Sequence, residues 1–170
     1  MNDTTETTTE VTDFRGRFTD VDKLVRFAQA GKSTLTLKST KTEKRFTYRI
    51  TESEDGRKFF VALLNGPDNE NDYQYLGFLD WGKYVHGSKS KVSKTAASVV
   101  AFTWAWNHFA KGRIPEGLEV WHEGRCGRCN HKLTVPESIE TGFGPECSQI
   151  MGLVRKAKPR PSVLKDGLGG

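Results

Sequence analysis

The chain has 170 residues, a net charge of +5, and 35% hydrophobic against 28% charged residues. That length holds one ordinary domain, or a domain with a small appendage. No apolar run approaches the ~20 residues that span a bilayer, so no membrane association is expected. The opening MNDTTETTTEVTDF lacks the basic start and apolar core of a secretory signal, so a cytoplasmic location is expected. In that reducing setting, clustered cysteines read as metal ligands or redox groups before disulfides. Asp3, Glu6, Glu10 and Asp13 give residues 1–13 a charge of −4, which leaves +9 on the remainder. A surplus of that size suits a polyanionic partner.

Residues 1–13 are rich in Thr and acids with little to bury, and read as disordered, within an acidic tail running to residue 18. Thr19 or Asp20 can then cap a short helix with Val21, Leu24, Val25 and Ala28 on one face, and Gly31 suits its stop. The pattern next switches to period 2. Leu35 and Leu37 share a face, as do Phe46, Tyr48 and Ile50, and Asp55-Gly56 is a hairpin-type turn. Residues 59–64 form a continuous apolar run expected of a central strand, 65–72 a loop, and 73–79 the next strand. The links are too short for parallel crossovers, so a meander of three to five antiparallel strands is predicted. A long amphipathic helix should run from Ser93 to Gly112, with Val99, Phe102, Trp106, Phe109 and Ala110 as its core stripe. Trp104 falls off that stripe and is expected against another element. Residues 113–121 read as a connector, and 155–170 as a flexible basic tail. The predicted fold is α+β: an antiparallel meander packed on one long amphipathic helix over residues 19–115, with a small zinc-knuckle module over 116–154.

The three cysteines, Cys126, Cys129 and Cys147, all lie in HEGRCGRCNHKLTVPESIETGFGPEC, residues 122–147. Cys126-x-x-Cys129 is a knuckle spacing that turns two thiolates toward one metal, and Gly127 eases the backbone through the turn. Pro145 suits the first position of a helix, which puts Cys147 in a first turn where the helix dipole favours a thiolate. One structural zinc ion with four filled positions is the expected cofactor. His122, arriving on the preceding strand, is the preferred fourth ligand. His131, two residues after Cys129, would have to bend back sharply, and Glu146 is a hard donor beside soft thiolates.

The pattern H-x3-C-x2-C-x3-LT-x-PESI-x2-GFGPEC resembles a cysteine-rich module of uncharacterised bacteriophage and bacterial proteins. The upstream stretches AGKSTLTLKSTKTEKRFTYRI and LNGPDNENDYQYLG are more loosely similar to their sheet region. The resemblance implies a phage-encoded, zinc-ribbon-like protein in the host cytoplasm. It implies no activity.

Two roles compete. For nucleic-acid binding, the cations are Lys83, Lys89, Lys91 and Lys94 before the second helix, Arg125, Arg128 and Lys132 on the knuckle, and Arg155, Lys156, Lys158 and Arg160 in the tail. Tyr84, Trp104 and Trp121 are the candidate stacking residues. The alternative is a phage factor that contacts and redirects a host protein, through an apolar patch around Trp104 and Tyr73–Tyr75. Catalysis is not expected. There is no Ser/His/Asp set, and AGKST at 30–34 only echoes a P-loop, since Arg26 stands where its first glycine belongs.

Overall fold

The computed structural model describes residues 16–68, 70–80 and 82–152; the acidic segment 1–13 and the tail bases Arg155, Lys156, Lys158 and Arg160 lie outside these. Helix α1 spans Val21–Ala28, and Asp20 is its cap, accepting bonds from the N–H groups of Asp22 (2.8 Å) and Lys23 (3.3 Å). Its Leu24, Phe27 and Ala28 are fully buried.

Among the described residues, seven strands follow the period-2 segments and more: β1 (Arg17–Phe18), β2 (Lys32–Ser39), β3 (Arg45–Glu52), β4 (Lys58–Leu64), β5 (Tyr73–Asp80), β6 (Lys83–His86) and β7 (Leu118–His122). They form one sheet in the order β1-β7-β2-β3-β4-β5-β6, antiparallel throughout. The strands exceed the three to five predicted. β7, read as connector, is an interior strand that pairs Val120 with both Leu37 and Phe18. A bulge at Val61/Ala62 lets Leu76 join Leu79 in the core.

Helix α2 spans Ala97–Ala110, so at 14 residues it is shorter than predicted. The Ser93 hydroxyl bonds the N–H and hydroxyl of Thr95, a local turn that holds 93–96 out of the helix. Val99, Phe102, Ala105, Trp106 and Phe109 enter the core, where Phe102 lies 4.9 Å from the Tyr48 ring. The opposite side is also apolar: Val100 is 52% and Trp104 45% exposed, so Trp104 is not buried and the helix is not amphipathic. No helix among the described residues is long and apolar enough to cross a membrane.

Two short helices, α3 (Pro136–Thr141) and α4 (Pro145–Ile150), complete the fold. The cysteine segment is not a separate body held by metal alone. Cys126, Leu133, Phe143 and Cys147 belong to the same buried cluster as Leu24 and Phe27. Gly127 packs against Phe27 so closely that a Cβ there would fall 2.6 Å from the ring. Its backbone bonds both Lys32 N (2.8 Å) and Gly142 O (2.9 Å). The small residue in the knuckle therefore makes room for Phe27, a neighbour outside the motif.

Candidate functional site

The knuckle is a small hairpin. Leu133 N–H bonds Gly124 O (2.8 Å), Arg125 bridges Lys132, and Cys126 N–H bonds His131 O (2.8 Å). Asn130 closes the turn at φ +69°. Helix α4 starts at Pro145 and returns Cys147 to the hairpin, as its spacing predicts. The Sγ atoms of Cys126, Cys129 and Cys147 all lie within 4.8 Å of one another. Cys126 and Cys147 are buried and Cys129 is half-buried.

A tetrahedral ion with metal–sulfur bonds of about 2.3 Å sets sulfurs about 3.8 Å apart. The three sulfurs are thus close to the spacing that one ion requires, and soft thiolates suit a thiophilic metal. Three ligands alone are few for zinc. The electrostatics set the two buried thiols apart. Burial pushes the Cys126 thiol up, but N–H groups of Cys129, Gly144 and Arg128 outweigh it and hold the thiol below its ordinary value. Burial pushes Cys147 up to about 11, opposed by the Arg128 guanidinium (Nη1 3.7 Å from Sγ) and reinforced by the neighbouring thiols. The expected helix-dipole activation of Cys147 is therefore overridden by burial. Two thiolates at this range repel by about 3–4 kcal/mol at an effective dielectric of ~20, so a full set of three needs a cation.

Neither His122 nor His131 stands within the sulfur group itself. His122 is buried against Phe18 (5.7 Å) and Phe27 (5.6 Å). Its Nδ1 accepts from Gly124 N–H (3.0 Å), so Nε2 donates to Ile139 O (2.5 Å). With both nitrogens engaged, the preferred fourth ligand serves the core. His131 is exposed, with Nδ1 3.3 Å from Cys129 Sγ.

The sheet supplies a second surface. Helices α1 and α2 cover the face that carries Leu35, Tyr48, Ile50, Val61 and Val120. Register places the alternating residues on the other face: Thr34 and Lys38 from β2, Arg45 and Arg49 from β3, Lys58 and Phe60 from β4, Tyr73, Tyr75 and Phe78 from β5, and Trp121 from β7. Cations and rings interleave there. Arg49 lies 3.9 Å over the Tyr73 ring, Lys58 lies 4.5 Å over Phe78, and Phe60 meets Tyr75 edge-on at 6.2 Å. Phe60 is 41% exposed. Where the hairpin overhangs this face, a cleft of about 370 Å³ opens between Arg49, Tyr73, Glu70, Arg125, Asn130 and Lys132.

The sequence-chosen cations are scattered. Lys83 is exposed opposite Asp80 at the β6 edge, and Lys89, Lys91 and Lys94 are exposed in the loop before α2. Lys132 is exposed beside the cleft. Arg125 is committed to Glu70 (3.2 Å) and Asn130 O (3.1 Å), and Arg128 to Cys147. Of the three stacking candidates only Trp121 lies on the uncovered face, its indole N–H on Glu119 (3.2 Å). Tyr84 packs 5.3 Å from Phe102 on the core side, and Trp104 stands on α2. Arg45, Arg49, Lys58, Phe60 and Phe78 on this face were not singled out in the sequence; the alternation of Phe46, Tyr48 and Ile50 could have marked Arg45 and Arg49 as outward, whereas Phe60 sits inside an unbroken apolar run.

Residues 118–152, that is β7 with the cysteine segment, match the model of a family of unknown function (DUF6011). No curated protein and no solved structure matches the chain.

Proposed function

We propose that the chain is a non-catalytic binder of single-stranded nucleic acid, and that its cysteine group holds one structural zinc ion. The observation that carries the first part is the uncovered sheet face with alternating rings and cations. A phosphodiester strand offers both things such a face needs, bases to stack and charges to neutralise. A duplex hides its base faces, so a flat aromatic surface favours single strands. The ion would brace the hairpin at one end of this face.

The test is fluorescence anisotropy with labelled 12-nucleotide DNA and RNA, single-stranded and duplex, at 50 and 200 mM salt. Single strands should bind more tightly than duplex, and affinity should fall steeply with salt. Phe60→Ala should cost about 1–3 kcal/mol, roughly 5- to 150-fold. No binding at 50 mM salt, or wild-type affinity in Phe60→Ala together with Phe78→Ala, would overturn the reading. A protein partner is the second reading, and the exposed pair Val100 and Trp104 on α2 favours it. Trp104→Ala should leave oligonucleotide affinity unchanged, because α2 packs on the other face of the sheet.

A further inference from the structure

We infer that His131 is the fourth ligand of the metal site, through Nδ1, so that a thiophilic dication is held by three thiolates and one imidazole. The inference rests on the metal reading above. Its Nδ1 stands 3.3 Å from Cys129 Sγ. A tetrahedral ion bound to sulfur at about 2.3 Å and to imidazole nitrogen at about 2.05 Å holds those two atoms about 3.6 Å apart. The pair is therefore close to the geometry of two adjacent ligands before any ion arrives.

The chain also makes the sharp reversal that such a ligand demands. Asn130 sits at φ +69°, in the left-handed region that asparagine tolerates better than most residues. Two bonds pin the reversal: Asn130 N–H to Cys126 O (2.9 Å) and Cys126 N–H to His131 O (2.8 Å). They fix the His131 backbone against Cys126 while its ring remains exposed, on the less buried side of the sulfur group beside Cys129. Turning the ring costs it no buried packing. The other imidazole in reach along the chain, His122, would have to surrender two hydrogen bonds and its place between Phe18 and Phe27.

Cobalt(II) titration of the reduced full-length chain, followed by its sulfur-to-cobalt and d–d absorption, tests this. One cobalt per chain should bind with the spectrum of a four-coordinate site of three sulfurs and one nitrogen. His131→Ala should keep its far-ultraviolet circular dichroism, weaken cobalt binding by at least about 10-fold, and shift the d–d bands; loss of an outer-shell partner alone often costs that much. His131→Cys should recover affinity, with bands moved to the lower energy of an all-sulfur site. Wild-type affinity and bands in His131→Ala, or a His131→Cys chain no tighter than His131→Ala, would overturn the ligand assignment. A wild-type chain that binds no cobalt and leaves all three thiols open to alkylation would overturn the metal reading itself.

Discussion

Three glycine substitutions separate the two costs of building the cysteine segment against α1. Gly124 has φ +80° and open space around its missing Cβ. Gly127 has no positive φ, but its Cβ would lie 2.6 Å from the Phe27 ring and 3.0 Å from its carbonyl oxygen. Gly142 combines both, with φ +83° and a Cβ 2.6 Å from the same ring. An L-residue in the left-handed region costs about 1–2 kcal/mol, and overpacking a filled site about 1–3 kcal/mol. Gly124→Ala should therefore lose about 1–2 kcal/mol, Gly127→Ala about 1–3, and Gly142→Ala about 2–5, near the sum. The entropy that alanine removes from the unfolded chain is common to all three and cancels from the comparison. Urea unfolding at fixed zinc, followed by tryptophan fluorescence and circular dichroism, gives the three values. Phe27→Leu should narrow the gap between Gly142→Ala and Gly124→Ala. If Gly142→Ala costs no more than Gly124→Ala, the tight contact with Phe27 is refuted, and with it the shared core of sheet and cysteine segment.

Metal chelation should raise hydrogen exchange and thiol alkylation most in residues 124–150 and less in β2 to β5, whose Leu35, Tyr48, Ile50 and Val61 are also packed by residues outside the cysteine segment; equal loss in both would refute this. Tyr48→Phe should cost about 0.5–1.5 kcal/mol in urea unfolding, since the buried Tyr48 hydroxyl donates to Ser98 O (2.6 Å) and phenylalanine cannot. Burial holds the Tyr48 phenol far above its ordinary pKa, so its absorbance should titrate only when alkali unfolds the chain. Burial lowers the His122 pKa, against the Ile139 carbonyl and Glu123, which raise it. In the interval between that lowered value and the unfolded one near 6.5, the unfolded chain binds more protons. The contribution of His122 is thus whole above about pH 6.5 and is lost as pH falls through the folded value. At fixed zinc, His122→Phe should show a shallower acid loss of stability than wild type; parallel pH profiles would exclude His122 as the source.

The parts legible in the sequence were those set by local pattern. Period-2 alternation found β2 and β3, a continuous apolar run and the loop after it found β4 and β5, an acid before an apolar stripe found the start of α1, and cysteine spacing with Pro145 found the sulfur group and α4. The missed parts depend on contacts far along the chain. The alternation in LEVWH spans only five residues, and its meaning comes from pairing with Leu37 and Phe18, each some 80 to 100 positions away. The apolar run 59–64 pointed to a central strand, and β4 is one. Its continuity suggested burial on both faces, yet Phe60 lies on the uncovered side. In an ordinary half-buried strand the outward positions are polar, so period alone marks the two faces. Here the outward positions carry rings, and the alternation vanishes from the hydrophobic pattern because the exposed face is itself aromatic. Outward rings such as Phe60 lie away from the core under the helices, and they are the feature from which the stacking proposal starts. The reversal after Cys129 was hidden for a related reason. A sharp bend counted against His131 in the sequence, yet Asn130 makes that bend in the left-handed region and sets His131 Nδ1 3.3 Å from Cys129 Sγ; asparagine tolerates that region, but its presence alone does not mark the position.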